Sequence, residues 1–259
     1  MKLKTALVLL VLLSLHSVSN AKNPTKFSVK LEFGNHQVSS SLNENWNVRQ
    51  DVGSVNYNSG SSNGSVLSDI WMNHLALKPE ISFFENKIAV SSGLKFTNIS
   101  SDISMNSFSD NAKKFFYLRY NSNQLTTDFA RISGINESNN YLGIPFELRI
   151  IPFTIYNIDL YIKTGIEISF KVGSKTNIDF INEDMKVYED NILNDVGADV
   201  NFFYSSWSSA IGFAFGNKDK LSYNIEFLLP SYMLTKNNSS LVTPSMYTGF
   251  QCSIQLPVK

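Results

Sequence analysis

Ile158-Asp159-Leu160-Tyr161-Ile162-Lys163-Thr164-Gly165-Ile166-Glu167-Ile168-Ser169-Phe170-Lys171-Val172 is the stretch that decides the fold. Ile158, Leu160, Ile162, Ile166, Ile168, Phe170 and Val172 fall on one parity, and Asp159, Lys163, Glu167 and Lys171 on the other. A period of two places successive side chains on opposite faces of an extended chain, so the segment reads as a β-strand. It is longer than the ~9–11 residues that a tilted strand needs to cross a bilayer.

The same alternation recurs outward in both directions. It runs through Phe27–Phe33, Trp71–Phe83, Ile88–Phe96, Leu142–Ile150, Ile211–Phe215, Leu221–Leu229 and Phe250–Leu256. A helical period is present only over Ile181–Val196, an acidic stretch that predicts a loop helix. Connections alternate as well. Glu85-Asn86-Lys87, Pro152–Asn157 and Asn217–Lys220 are short, whereas His36–Ser68, Asn98–Asn140, Gly173–Asp195 and Ser231–Ser245 are long and polar. Short turns on one side and long loops on the other are the asymmetry of outer-membrane barrels. The fold predicted is all-β: one antiparallel up-and-down transmembrane barrel of about eight strands, with short periplasmic turns and long extracellular loops.

Alternation by itself also fits a soluble lipocalin-like barrel or a sandwich. Three features favour lipid outside. The apolar parity carries almost no charge, as a lipid-facing belt requires. Several strands exceed soluble lengths. Aromatics gather at both ends of the strands, with Phe27, Phe83, Phe84, Phe153 and Tyr156 near the turns and Trp71, Phe96, Phe170 and Trp207 near the loops. The opposite parity then lines the lumen: Lys30, Glu32, Lys78, Glu80, Lys95, Glu147, Arg149, Asp159, Lys163, Glu167, Lys171 and Glu226. Eight strands leave an interior that side chains fill, and buried charges must pair. The expectation is a plugged lumen with a structural charge network, relieved by Gly93, Gly165, Gly212 and Gly249 on the same parity. Pro145, and more weakly Pro79, predict an irregular pairing, because proline removes a ladder donor.

The N-terminus reads as a secretory signal peptide over residues 1–21. Lys2 and Lys4 precede an apolar run from Ala6 to Leu15, and Ser19-Asn20-Ala21 offers small residues for cleavage. The barrel domain then covers 22–259. The chain has 22 basic and 22 acidic residues, so it lacks the basic excess of a nucleic-acid binder. Cys252 is its one cysteine, which excludes a disulfide framework.

Candidate chemistry is sparse. His74 with Ser82 or Glu80 could imitate the histidine–serine arrangement of a lipid-acting barrel enzyme, but a base must lie within reach of its nucleophile. His36 is placed at a loop base. Two histidines without a cysteine cluster do not make a zinc site. Glu183, Asp184, Glu189 and Asp190 lack the spacing of a calcium loop and read as a solvated face. No catalytic residue, metal or cofactor is predicted.

Tyr141-Leu142-Gly143-Ile144-Pro145-Phe146-Glu147-Leu148-Arg149 resembles the tyrosine–isoleucine–proline strand of the PorT-like outer-membrane β-barrel family, and the Lys78-Pro79-Glu80 and Ser92-Gly93-Leu94-Lys95 segments look like its hairpin. Gly143 replaces the family's usual acid, and Lys259 stands where a terminal aromatic is common. The resemblance implies an outer-membrane barrel and, for some members, an association with secretion. The reading is a non-enzymatic, monomeric barrel in the outer membrane of a Gram-negative bacterium. It contacts outer-membrane lipid and, through its loops, protein or surface partners. A transport or secretion component, a lipid-acting enzyme and a soluble binder are the alternatives.

Overall fold

The computed structural model describes residues 25–42, 48–49, 65–106, 116–123, 126–196, 200–217 and 220–258. The predicted signal peptide lies outside them. The strands are β1 (Lys26–Leu42), β2 (Val48–Arg49), β3 (Ser65–Phe83), β4 (Ile88–Ser92), β5 (Leu94–Asn106), β6 (Phe116–Asn123), β7 (Thr126–Ile155), β8 (Ile158–Phe180), β9 (Phe203–Asn217), β10 (Leu221–Met233) and β11 (Val242–Val258). Each pairs antiparallel with its neighbours, and β1 pairs with both β3 and β11. β4 and β5 together form one stave between β3 and β7. The ring β1, β3, β4/β5, β7, β8, β9, β10, β11 therefore closes with eight staves. β6 and β2 extend the sheet beyond the ring from the start of β7. Closure satisfies every edge of the ring, which an open sheet would leave exposed.

The irregularity predicted near Pro145 and Pro79 is found on the stave between them. The ladder breaks at Gly93, which lies across from Pro145, and the register is the same on either side of the break. A Cβ on Gly93 would lie 2.1 Å from the Leu77 carbonyl oxygen. The turn after β3 holds Phe84, Glu85 and Asn86 at φ 50°, 57° and 68°. The connection after β7 is tighter than Pro152–Asn157. β7 continues to Ile155, with a register shift at Ile151-Pro152, and only Tyr156-Asn157 turn.

Strand extends into three of the predicted long loops and takes up most of Asn98–Asn140. β1 continues through His36 to Leu42, β5 runs to Asn106, β7 begins at Thr126, and β8 runs to Phe180. The physical reason is an inversion of the wall. In the turn-side half, apolar residues point outward and polar residues inward. In the loop-side half, Val38, Ile70, Met72, Ile99, Ile103, Ile135 and Ile178 point inward. Asn73, Asn136 and Asn177 on the same staves are exposed. The lumen is thus only half a charge network, because the loop-side half is an apolar core. The predicted loop helix is present as a 3-10 turn, Glu183–Tyr188, followed by α1 (Glu189–Val196). α1 buries Ile192 in that core.

Glycines make room for the interior. Gly34 lies opposite His74, Gly212 opposite Tyr161, Gly165 opposite Glu147 and Gly249 opposite His36. A Cβ on Gly212 would lie 2.3 Å from the Tyr161 ring. We expect Gly212→Ala to cost about 1–3 kcal/mol through overpacking, read as a lower denaturant midpoint in urea.

Candidate functional site

The interior of the turn-side half is the most organised set of side chains in the molecule. Alternation on six staves aims Lys30 and Glu32 (β1), His74, Lys78 and Glu80 (β3), Lys95 (β5), Glu147 and Arg149 (β7), Asp159, Lys163 and Glu167 (β8) and Glu226 (β10) inward, and all are buried. Lys163 is the hub. Its Nζ pairs with Glu226, lies 3.1 Å from Glu32 Oε2 and 3.6 Å from Glu147 Oε1. Lys78 Nζ donates to Glu32 at 2.6 Å and to Glu147 at 2.7 Å. Nearer the turns, Lys30 and Arg149 both pair with Glu80. Gln255 Nε2 adds a bond to Glu80 at 2.9 Å. Towards the loops, Lys95 pairs with Glu167 at 2.7 Å, and Thr97 and Ser169 hydroxyls donate to the same carboxylate. Asp159 accepts from Thr154 Oγ1 at 2.7 Å. The five bases Lys30, Lys78, Lys95, Arg149 and Lys163 thus meet the five carboxylates Glu32, Glu80, Glu147, Glu167 and Glu226.

Several participants were not legible as such. Tyr161 OH donates to Glu226 at 2.7 Å, and Gln251 donates to the same carboxylate. Both follow the inward parity of their strands. His36, read as a loop residue, is buried inside, its ring centroid 5.0 Å from that of His74. Lys171 departs from the predicted set: it is only half-buried and donates to the Val200 carbonyl at 2.8 Å.

The arrangement does not support the histidine–serine reading. His74 Nε2 lies 3.1 Å from Glu32 Oε1 on the neighbouring strand. Ser82 is four inward steps further along β3, about 26 Å away at ~3.3 Å per residue. Glu80 is three steps, about 20 Å away by the same rise. Among the described residues, no group of three or more His, Cys, Asp or Glu is placed to hold a metal. The acidic residues of the 183–190 region are exposed or half-buried, and Glu189 accepts from the Ile178 N–H at 2.6 Å.

A second feature closes the loop-side mouth. The connection from β10 to β11, predicted as an outer loop, dips inward. Asn238, Ser239, Ser240, Leu241 and Val242 are all buried. This strap hangs on one carboxylate, Glu137 of β7. Glu137 accepts from Ser239 Oγ at 2.6 Å, the Ser240 N–H at 2.8 Å and the Leu241 N–H at 3.3 Å. Asn139 Nδ2 donates both to Glu137 and to the Asn238 carbonyl, at 2.9 and 3.1 Å. Below the strap, Tyr141 and Tyr204 pack with ring centroids 5.3 Å apart in the apolar core. At the opposite mouth, a small recess is bounded by Ser28, Ser82, Arg149, Asp159 and Gln255. Arg149, which lines it, pairs with the buried Glu80. Among the described residues, the interior thus holds paired charge towards the turns and apolar packing under the strap.

No protein-family model and no curated protein matches the chain. Among solved structures, it is similar to the outer membrane protein OprG of Pseudomonas aeruginosa, with 9% identity over 90% of this chain and 95% of that one and a TM-score of 0.35. It is also similar to the transport unit of the autotransporter AIDA-I of Escherichia coli, at 10% identity, 92% and 91% coverage and a TM-score of 0.24. A FadL homologue of Pseudomonas aeruginosa follows at 7% identity, 90% coverage of each chain and a TM-score of 0.21.

Proposed function

We propose that this chain is a non-enzymatic barrel of a Gram-negative outer membrane, exported behind residues 1–21, with a filled lumen and surface loops that do the recognition. The observation that carries the reading is the inside-out wall. Phe27, Leu77, Leu94, Phe146, Ile162, Phe227 and Phe250 are each more than half exposed on the outer face. The buried charges lie behind them. A soluble protein rarely exposes so continuous an apolar surface, and a bilayer covers it. No described helix is long and apolar enough to cross a membrane; in this reading the strands make the crossing. Aromatics bound the belt at both ends, with Phe153 and Tyr156 near the turns and Trp71, Phe96 and Phe170 near the loops, as rings at two interfaces do.

The filled lumen is tested in a planar bilayer. Purified protein is expected to give no steady conductance, and a stable open channel would contradict the reading. The belt makes a second prediction. Ile166→Arg, near the middle of the β8 stretch, is expected to cost about 2–4 kcal/mol in urea titrations of the lipid-embedded barrel. Asn177→Arg on the polar extension is expected to change stability by no more than about 0.5 kcal/mol. The likeness of Tyr141–Arg149 to PorT-like barrels favours a secretion-associated setting as the second reading. An unchanged secreted proteome in a deletion strain would contradict it.

A further inference from the structure

The recess at the turn-side mouth has a wall rich in hydrogen-bond donors. Ser28 (β1), Ser82 (β3), Arg149 (β7), Asp159 (β8) and Ser222 (β10) border it, and all five are buried. Lys26, which is exposed, borders it as well. Its cavity volume is about 40 Å³, room for about three waters at ~10–15 Å³ each. Small hydroxyl residues at three inward positions leave that space, which larger side chains would close. Ser28 Oγ accepts from Gln255 Nε2 at 2.6 Å, so its own proton remains to donate. Arg149 Nη2 pairs with Glu80, but that carboxylate also serves Lys30. Arg149 Nε is buried and, among the described residues, has no hydrogen-bond partner. Buried donors in folded proteins nearly all find an acceptor. Asp159 Oδ1 accepts from Thr154 Oγ1 at 2.7 Å. Of the charged side chains that border the recess, Lys26 and Arg149 are basic and Asp159 is acidic, an excess of one positive charge.

We propose that this recess binds a carboxylate presented from the turn side. The inference takes only the compartment, the periplasm, from the membrane reading above. The excess of one positive charge selects a monoanion: a neutral ligand leaves that charge unmet, and a dianion such as phosphate overcompensates it. The planar guanidinium fork matches a planar carboxylate. The hydroxyls of Ser28, Ser82 and Ser222 rotate to donate to the same group. The volume selects the carboxylate itself as the part that enters, with the rest of the molecule outside. A small free acid and the C-terminal end of a periplasmic peptide share this chemistry.

The test follows the arginine Nε signals by nuclear magnetic resonance in the full mature barrel, isotope-labelled and held in detergent micelles. The chain has four arginines, Arg49, Arg119, Arg131 and Arg149. The Arg149 signal is identified by its loss in Arg149→Lys or, if that variant does not fold, by elimination with lysine at each of the other three. Acetate and N-acetylglycine stand for the two sources. At least one is expected to shift the Arg149 signal saturably with a Kd of about 1 mM, within the ceiling for ligands of so few atoms, and the tighter of the two names the source. The other three signals should not move. N-acetylglycinamide and inorganic phosphate should bind at least about tenfold more weakly. Ser222→Leu, which fills the recess without removing a charge, should abolish the shift with unboiled gel mobility unchanged. No saturable shift with either acid, an equal response to the amide or to phosphate, or a shift that survives in Ser222→Leu would overturn the proposal. Folded protein that partitions into the aqueous phase would instead count against the membrane reading and leave the binding result untouched, so the two failures are distinguishable.

Discussion

Replacing Lys163 with methionine is expected to destabilise the barrel by about 3–5 kcal/mol, the usual cost of removing one partner from a buried ion network. One ammonium serves Glu32, Glu147 and Glu226. Methionine fills most of its volume but leaves Glu226 with only Tyr161 and Gln251. Glu32 and Glu147 retain Lys78, so they are not stripped of charge compensation. Adding Glu226→Gln to Lys163→Met should therefore recover a large part of the loss, because the amide needs no cation and still accepts from Tyr161. Denaturant titration of the single and double variants reads both numbers. Additive losses in the double variant would show that the two groups are energetically independent, against the hub arrangement.

Glu137→Ala is expected to cost a similar amount, about 3–5 kcal/mol, by a different route. Two donors, Ser239 Oγ and the Ser240 N–H, lose this acceptor inside the barrel, the Leu241 N–H keeps only Ser239 Oγ at 3.1 Å, and each unsatisfied buried group costs ~1–3 kcal/mol before water reaches it. The strap has few other anchors, among them Asn139 on the Asn238 carbonyl and Asn238 Nδ2 on the Thr235 carbonyl. The loss should be local. Amide exchange at Ser240 and Leu241 is expected to accelerate at least about tenfold for each 1.4 kcal/mol lost, with β8 and β9 amides unchanged. Uniform acceleration through the whole ring would contradict the strap as a separate unit.

The closed eight-stave ring was readable because the apolar set stays on one parity through the belt, as Ile158–Val172 illustrates. The strand extensions were not, because that set changes faces. On β5, Leu94 and Phe96 point outward, whereas Ile99 and Ile103 point inward. On β3, Leu75 and Leu77 point outward and Ile70 and Met72 inward. A pattern followed on a single parity ends where the wall inverts, so Asn98–Asn140 looked like loop. Most of the inward charges could be placed from parity, but their partners could not. Cross-strand stagger decides which carboxylate meets which base, and it brings His74 to Glu32 while leaving Ser82 far along the strand. Glu137 had a usable signal: it shares the parity of Asn139, Tyr141, Gly143, Glu147 and Arg149. The strap had none, because its polar Asn-Ser-Ser composition is that of a solvated loop, and only a buried carboxylate on another strand draws it inward.

The central claim is an inside-out barrel whose apolar wall faces lipid, and phase partition with detergent tests it most directly, combined with gel mobility before and after boiling. The mature protein is expected to enter the detergent-rich phase, and its unboiled band to migrate differently from the boiled one. Recovery of folded protein in the aqueous phase, with one mobility under both conditions, would contradict it.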